Sequence, residues 1–171
     1  MGERSEMTWE ADKRWSDRFL SEIKSILGLH LIGEPPKEED AEHNTDLIVL
    51  TMAPVRIGCR VRRHEYAAKY GDEFTIRAGR PSGVRTELAK IVEGWGDYFF
   101  YGFADAQEKN LCRWLLGDMK VFRGWFARQL AANKGLAPGE HKDNHDNSSH
   151  FRAFRVADMP VGFIVARSDA A

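Results

Sequence analysis

Hydrophobic and polar residues alternate strictly between residues 55 and 62, and this stretch organises the predicted fold. Successive side chains of a strand point to opposite faces, so the alternation predicts a strand with one apolar and one basic face. The apolar face carries Val55, Ile57, Cys59 and Val61, and the other carries Arg56, Gly58, Arg60 and Arg62. An apolar run at residues 46–50 and a turn at 52–54 precede it, which predicts a strand-turn-strand unit.

Other segments with the same period extend this unit. Residues 73–78 predict a third strand, with Phe74 and Ile76 on one face and Thr75 and Arg77 on the other. The aromatic run 97–103 and residues 111–116 predict an antiparallel pair, because aromatic residues favour strands. Short extended segments are also predicted at 29–32, 151–156 and 162–166.

Apolar positions three and four residues apart predict three helices. They cover residues 8–27, residues 84–93, and a segment that follows Asp118 and runs to Leu130. Thr8 and Asp118 are suitable N-terminal caps, and Gly28 is a suitable end for the first helix. The polar segment 132–149 is predicted to be a mobile loop.

Together these elements predict an α/β (α+β) fold in one domain spanning residues 1–171. Its order is α-β-β-β-α-β-β-α-β-β, and we expect a mixed central sheet flanked by helices.

Composition excludes several classes. The chain is 43% hydrophobic and 30% charged, which is typical of a globular protein, and its apolar runs are too short to span a membrane. The acidic start does not have the order of a signal peptide, so we expect a cytoplasmic protein. The two cysteines, Cys59 and Cys112, lie too far apart in the sequence for a recognisable zinc motif, and Cys59 is expected to be buried.

The net charge of −1 hides a gradient along the chain. Residues 1–47 carry six Lys/Arg against twelve Asp/Glu, whereas residues 48–90 carry nine against four. This asymmetry fits a polyanion such as DNA or RNA at the middle of the chain. It equally fits a basic sheet face that pairs with the acidic first helix of the same domain.

The basic residues form the candidate nucleic-acid interface, because arginine neutralises phosphate. The candidates are Arg56, Arg60, Arg62, Arg63, Arg77, Arg80 and Arg85. The alternative is that the strand arginines cover the sheet and pair with Asp12, Asp17 or Glu22. Residues 79–83, Gly-Arg-Pro-Ser-Gly before a helix, predict either an anion site or a proline turn capped by Ser82.

Two further clusters have competing interpretations. The loop 141–150 contains His141, Asp143, His145, Asp146 and His150, which could bind a metal or be solvated. The aromatic run 98–103 and the stripe Phe122, Trp125 and Phe126 could stack on bases, but their periods favour core packing.

Three strings in the chain are similar to those of an uncharacterised family of bacterial and phage proteins. They are Asn44-Thr45-Asp46-Leu47-Ile48-Val49-Leu50, Gly79-Arg80-Pro81-Ser82-Gly83 and Glu93-Gly94-Trp95-Gly96-Asp97-Tyr98. The element order over residues 8–130 also resembles the core of the PD-(D/E)XK nuclease-like superfamily. This resemblance implies a nuclease-like fold and an Mg²⁺-dependent phosphodiesterase site.

The resemblance assigns roles to particular residues. Asp46 stands where the first acid is expected, with Glu22 of the first helix as a further metal ligand. The next strand, however, has Arg60-Val61-Arg62 in place of the expected Glu-x-Lys, and arginine cannot ligate a metal. If the missing groups moved to the following helix, Glu87 would complete the Mg²⁺ site and Lys90 would complete the catalytic set, with Arg60 or Arg62 holding the phosphate.

Three function classes therefore stay open. The first is a nucleic-acid-binding, nuclease-like protein that could also cleave with Mg²⁺. The second is a non-catalytic interaction protein of a phage or mobile element, whose arginine face binds an acidic protein partner. The third is an enzyme that uses the basic site for a small phosphorylated ligand.

Overall fold

A computed structural model describes residues 9–33, 48–49, 55–144 and 149–168. Several predicted features lie outside these residues: Asp46, the turn at 52–54, the cap Thr8, and His145 and Asp146.

Five helices are present in the described part of the chain. They are α1 (Trp9–Asp17), α2 (Leu20–Leu31), α3 (Ala67–Tyr70), α4 (Glu87–Val92) and α5 (Met119–Ala132). The predicted first helix is thus two helices, and Gly28 does not end the second. The Asp118 cap is confirmed, because its carboxylate accepts hydrogen bonds from the backbone N–H groups of Lys120 (2.7 Å) and Val121 (3.0 Å).

Nine strands accompany these helices, which confirms the mixed α+β class. They are β1 (Ile32–Gly33), β2 (Ile48–Val49), β3 (Ile57–Arg62), β4 (Glu73–Gly79), β5 (Tyr98–Ala104), β6 (Leu111–Asp118), β7 (Glu140–Asp143), β8 (His150–Arg155) and β9 (Ile164–Arg167). The described strands form a pair β1-β2, a mixed four-stranded sheet β3-β5-β6-β9 and an antiparallel sheet β4-β8-β7.

Strand pairing differs from the predicted strand-turn-strand unit extended by a third strand. Strand β2 pairs with β1, β3 runs parallel to β5, and β4 belongs to the other sheet beside β8. The physical reason is that a period of two fixes which face a residue occupies but not which strand lies next to it. Strand β5 lies between β3 and β6 in its sheet, and its residues from Phe99 to Ala104 are all buried.

Apolar side chains pack on both faces of the four-stranded sheet. On one face Phe99, Tyr101 and Leu115 pack with residues of β4, β8, α4 and α5. On the other face Phe100 and Leu116 pack with residues of α2. The aromatic run and the α5 stripe therefore contribute to the core, since Phe122 and Phe126 are buried there too, as their periods favour.

The segment 132–149, predicted to be a mobile loop, contains a strand. Strand β7 pairs with β8, and Lys142 of β7 donates a hydrogen bond to Glu73 of β4 (3.1 Å). Part of this segment is therefore built into the second sheet. Within the described residues, no helix has both the length and the apolar composition needed to cross a membrane.

Candidate functional site

The predicted alternation of β3 is confirmed by its register with β5. Gly58, Arg60 and Arg62 lie opposite Phe99, Tyr101 and Phe103, on the face that turns toward the second sheet. Val61 is buried on the other face, against the residues that α2 covers. Cys59 shares that face but is exposed, contrary to expectation, at the end of the described sheet where β3 lies.

Arg60 joins the edge strands of the two sheets. Its Nη1 donates hydrogen bonds to the backbone oxygen (3.2 Å) and hydroxyl (3.4 Å) of Thr75 on β4. Its Nη2 lies 2.7 Å from Oε2 of Glu87 on α4, and this carboxylate oxygen also accepts the backbone N–H of Arg77 (3.0 Å). One guanidinium therefore links β3, β4 and α4 through a partly buried ion pair.

A cavity of about 500 Å³ lies beside this ion pair, and we call it the arginine cavity. Among the described residues, five basic side chains and one carboxylate, that of Glu87, line it; the basic residues are Arg60, Arg77, Arg80, Arg85 and Lys90. Trp95 also lines it and is 56% exposed. The cavity therefore combines an excess of positive charge with an accessible aromatic ring.

The loop before α4 forms one wall of the cavity. The N–H of Gly83 donates to the carbonyl of Arg80 (3.0 Å), and Gly83 has a φ of +69°, which a glycine adopts without strain. This is the predicted turn, but α4 begins at Glu87 and its cap position is Thr86, not Ser82. Because this six-residue helix has the Glu87 carboxylate in its first turn, we attribute the positive charge of the cavity to side chains.

Some candidate arginines are held in ion pairs within the fold. Arg60 pairs with Glu87, Arg63 with Glu108 (2.8 Å) and Arg85 with Glu93. Intramolecular pairing was one of the two predicted alternatives, but the acids differ from those expected. Asp17 pairs instead with Lys13 (2.5 Å), and the side chain of Asp12 lies outside the described residues.

Glu108 is the centre of a cluster that attaches α1 to the β5-β6 turn. It accepts hydrogen bonds from Nε1 of Trp15 (2.8 Å) and from Arg63, whose guanidinium lies 4.6 Å from the Trp15 ring centroid. The Trp15 hydrogen bond, and then Arg63, lower the pKa of Glu108 below its usual value. Arg63 therefore has a structural role here.

Two further candidate arginines, Arg56 just before β3 and Arg62 at its end, contact aromatic rings. The guanidinium carbon of Arg56 lies 5.8 Å from the Trp95 ring centroid, and that of Arg62 lies 4.4 Å from the Tyr66 ring centroid. Such contacts fix the direction of a guanidinium while leaving its N–H groups able to bind an anion.

The candidate metal ligands Glu22 and Glu87 are not brought together. Both carboxylate oxygens of Glu22 accept the backbone N–H of Leu111 (3.1 and 2.9 Å). Helix α2 packs on the Phe100 face of the sheet, whereas α4 packs on the Phe99 face, so the sheet separates the two acids. Lys90 is exposed and lines the arginine cavity with Glu87.

The histidine-rich segment has a local arrangement of its own. Nε2 of His141 lies 3.0 Å from Oδ1 of Asp143, and the rings of His141 and His150 lie 4.8 Å apart. Across the part of the chain that the structure describes, no three His, Cys, Asp or Glu side chains form a potential metal site.

Trp95 is the functional candidate that sequence reasoning missed. It stands between Gly94 and Gly96, which have φ values of +102° and +80° and so hold it on an exposed turn. An aromatic residue between two glycines was the available signal.

A scan of protein-family models, a search of curated proteins and a search of solved structures each found no match to this chain.

Proposed function

We propose that this protein binds nucleic acid through the arginine cavity. One observation carries the proposal: in the part of the chain that the structure describes, five basic side chains and one carboxylate line a concave site of about 500 Å³ that also contains the exposed Trp95. A cytoplasmic location, where nucleic acid is accessible, belongs to the same proposal.

The chemistry of the cavity suits both parts of a nucleotide. One guanidinium group can bind two phosphate oxygens through two parallel N–H groups. Arg80 and Lys90 are exposed and so accessible to a ligand. The Trp95 ring offers a surface on which a base can stack, an interaction that tolerates any sequence. Basic groups beside an aromatic ring are the combination that nucleic-acid-binding sites use.

The size of the site favours a nucleotide-sized group over the surface of an acidic protein partner. A stable protein interface covers about 800 Å² on each partner, whereas small molecules bind in cavities of about 300–1,000 Å³. The arginine cavity, at about 500 Å³, falls within the range for ligands. An acidic protein partner is therefore the second candidate and an outcome of the tests below.

Binding is best measured by fluorescence anisotropy with labelled single-stranded and double-stranded DNA and RNA over a range of salt concentrations. We expect affinity to fall steeply with salt, by about 0.7 logarithmic units per tenfold salt for each phosphate contacted on a single strand. No binding at low salt would overturn the proposal, and preferential binding of an acidic protein would favour the second candidate.

A charge-reversal variant locates the site. We expect the double variant Arg80→Glu, Lys90→Glu to bind at least about tenfold more weakly and with a shallower salt dependence. The matched control is Arg128→Glu, Arg155→Glu, which changes the same net charge at exposed positions outside the cavity. An equal loss in both double variants would mean that overall charge, and not this cavity, governs binding.

Cleavage is a separate proposal that rests on the predicted Asp46, Glu87 and Lys90 set. The protein should be incubated with each nucleic acid and Mg²⁺ or Mn²⁺, with a chelator control and with the Asp46→Ala variant alongside. Metal-dependent products that disappear in the variant would support a phosphodiesterase. Binding without products would leave the protein a nucleic-acid-binding protein only.

A further inference from the structure

Two more cavities adjoin the arginine cavity along the gap between β3 and β4. A central cavity of about 490 Å³ shares Arg60 and Arg77 with the arginine cavity. A third cavity of about 430 Å³, which we call the tyrosine cavity, shares Arg62, Tyr66 and Phe151 with the central one. The shared residues place the three cavities side by side, and we call the row that they form the depression. Arg60, which reaches across to Thr75 and Glu87, lies between the first two cavities.

The direction of this depression follows strand β3. Gly58 lines the arginine cavity and Arg62 lines the tyrosine cavity, and these residues are four positions apart on the strand. At about 3.3 Å per residue, four positions correspond to about 13 Å. Together with the cavities at each end, the depression is longer than one nucleotide.

Basic side chains line every part of the depression. Among the described residues, nine basic side chains and three carboxylates line the three cavities together, and two of these carboxylates, Glu73 and Asp143, lie in the tyrosine cavity with Arg62 and Lys142. In the central cavity the basic residues include Lys13, Arg62 and Arg63. A chain with a regularly repeated negative charge would meet basic groups at each step.

In the tyrosine cavity, aromatic rings hold two cations in place. Arg62 lies over Tyr66 at 4.4 Å, Lys142 lies over Tyr70 at 4.7 Å, and the two tyrosine rings stack at 6.2 Å. Lys142 is also held by Glu73 at 3.1 Å. Positions fixed in advance lower the entropy lost when a ligand binds, so Arg62 is the cation prepared for a phosphate at this end, whereas Lys142 is already paired with Glu73 and Glu140.

We propose that the three cavities form one track for a single strand of nucleic acid, DNA or RNA, which runs along the gap between β3 and β4 from Trp95 to Tyr66. This inference rests on the proposed function and adds the form of the ligand. A single strand fits because a base can reach Trp95 and the cavity interiors only when it is unpaired. A duplex presents its phosphates outside and its bases stacked within, so it cannot fill the track.

A length series tests the track with the unmodified protein. We expect an eight-nucleotide oligo-dT or oligo-U to bind at least about tenfold more tightly than a dinucleotide, and more tightly than a duplex at equal nucleotide concentration. Equal affinity for the two lengths, or for duplex and single strand, would overturn the track. If no oligonucleotide binds at all, the proposed function itself fails.

Photocrosslinking places the two ends of the strand without any substitution. An eight-nucleotide strand with 5-iodouracil at one end should crosslink near Trp95, and the same strand labelled at the other end should crosslink near Tyr66 or Phe151. Crosslinks from both ends to the arginine cavity alone would overturn the track while leaving the proposed function intact.

The double variant Arg62→Ala, Lys142→Ala provides an independent test. We expect it to weaken binding of the eight-nucleotide strand by about tenfold and to leave the dinucleotide affinity unchanged. An equal change for both lengths would contradict the track. Arg128→Ala, Arg155→Ala is the matched control, and circular dichroism of both double variants confirms that they are folded.

Discussion

The contacts between the two sheets differ between the interior of the protein and the edge. In the interior, the Phe74 ring lies 5.3 Å from that of Phe154 and 5.2 Å from that of Phe163, and all three side chains are buried. At the edge, Arg60 of β3 reaches Thr75 of β4 and Glu87 of α4, and cavities open on both sides of it. The packed aromatic rings of the interior exclude water, whereas the charged residues at the edge leave room for a ligand.

This contrast separates stability from binding. Aromatic packing contributes free energy in proportion to the apolar area buried, so it should dominate the free energy of unfolding. A partly exposed ion pair contributes little, because desolvation and side-chain ordering offset its attraction. Substitutions in the two regions should therefore change different measured quantities.

The largest expected effect is on stability, from Phe74→Ala. Phe74 is fully buried and its ring contacts those of Phe99 and Phe122 as well as the two above. We expect the free energy of unfolding to fall by about 3–5 kcal/mol, measured by urea denaturation. Oligonucleotide affinity of the folded fraction should not change; a selective loss of binding would mean that the interior also forms part of the site.

The next effect is on binding, from Trp95→Ala. The side chain is 56% exposed, so its removal should change the free energy of unfolding by no more than about 0.5 kcal/mol. We expect it to cost about 1–3 kcal/mol of oligonucleotide binding free energy, measured by anisotropy, because one stacking surface is lost.

Trp125→Ala is the control for this substitution. Trp125 packs against the core cluster and lies outside the arginine cavity, so its loss should lower stability rather than affinity. Unchanged affinity in Trp95→Ala would remove stacking from the proposed mechanism.

A smaller effect is expected from Glu87→Gln, which should lower the free energy of unfolding but raise oligonucleotide affinity. Loss of the charge partner of Arg60 should lower the free energy of unfolding by about 1 kcal/mol. The cavity would at the same time lose the one carboxylate that lines it among the described residues, so we expect oligonucleotide affinity to rise a few-fold and its salt dependence to steepen.

The same variant distinguishes binding from catalysis. If Glu87 were a metal ligand, Glu87→Gln would abolish metal-dependent cleavage, as is expected of Asp46→Ala. Weaker binding in Glu87→Gln, without any change in salt dependence, would contradict the assignment of Glu87 as an opposing charge within the cavity.

The sequence was sufficient to predict what depends on local patterns. Alternation correctly predicted the faces of β3 and β4, and the spacing around Asp118 correctly predicted the start of α5. The loop of residues 79–83 was predicted as a turn, and its basic residue Arg80 lies in the arginine cavity. These features depend on neighbours within a few residues, so the local sequence is enough to predict them.

Contacts between distant residues could not be predicted in this way. Periodicity does not specify that β3 lies beside β5, because any strand with an apolar face could have taken that place. Without that pairing, neither the gap beside β4 nor the Arg60–Glu87 pair can be inferred. Each basic residue had several possible acidic partners, and only the fold selects among them.

Glu108 shows the same limit, and it gives the smallest predicted effect. Its partner Trp15 is 93 residues away, and the hydrogen bond between them lowers the pKa of Glu108. Because this pKa is lower in the folded than in the unfolded protein, the contribution of Glu108 to stability is present above the unfolded pKa. That contribution is lost as the pH falls through the folded pKa.

We expect Glu108→Gln to lower the free energy of unfolding at pH 7 by about 0.5–1 kcal/mol, since a neutral amide still accepts from Trp15 but no longer pairs with Arg63. The difference between the variant and the natural sequence should shrink as the pH is lowered through the carboxylate range, which urea denaturation at several pH values will measure. Oligonucleotide affinity should rise only slightly, because Glu108 does not itself line the track, although its partner Arg63 lines the central cavity. A difference in stability that grows toward acidic pH would show that the ionised form of Glu108 does not stabilise the fold.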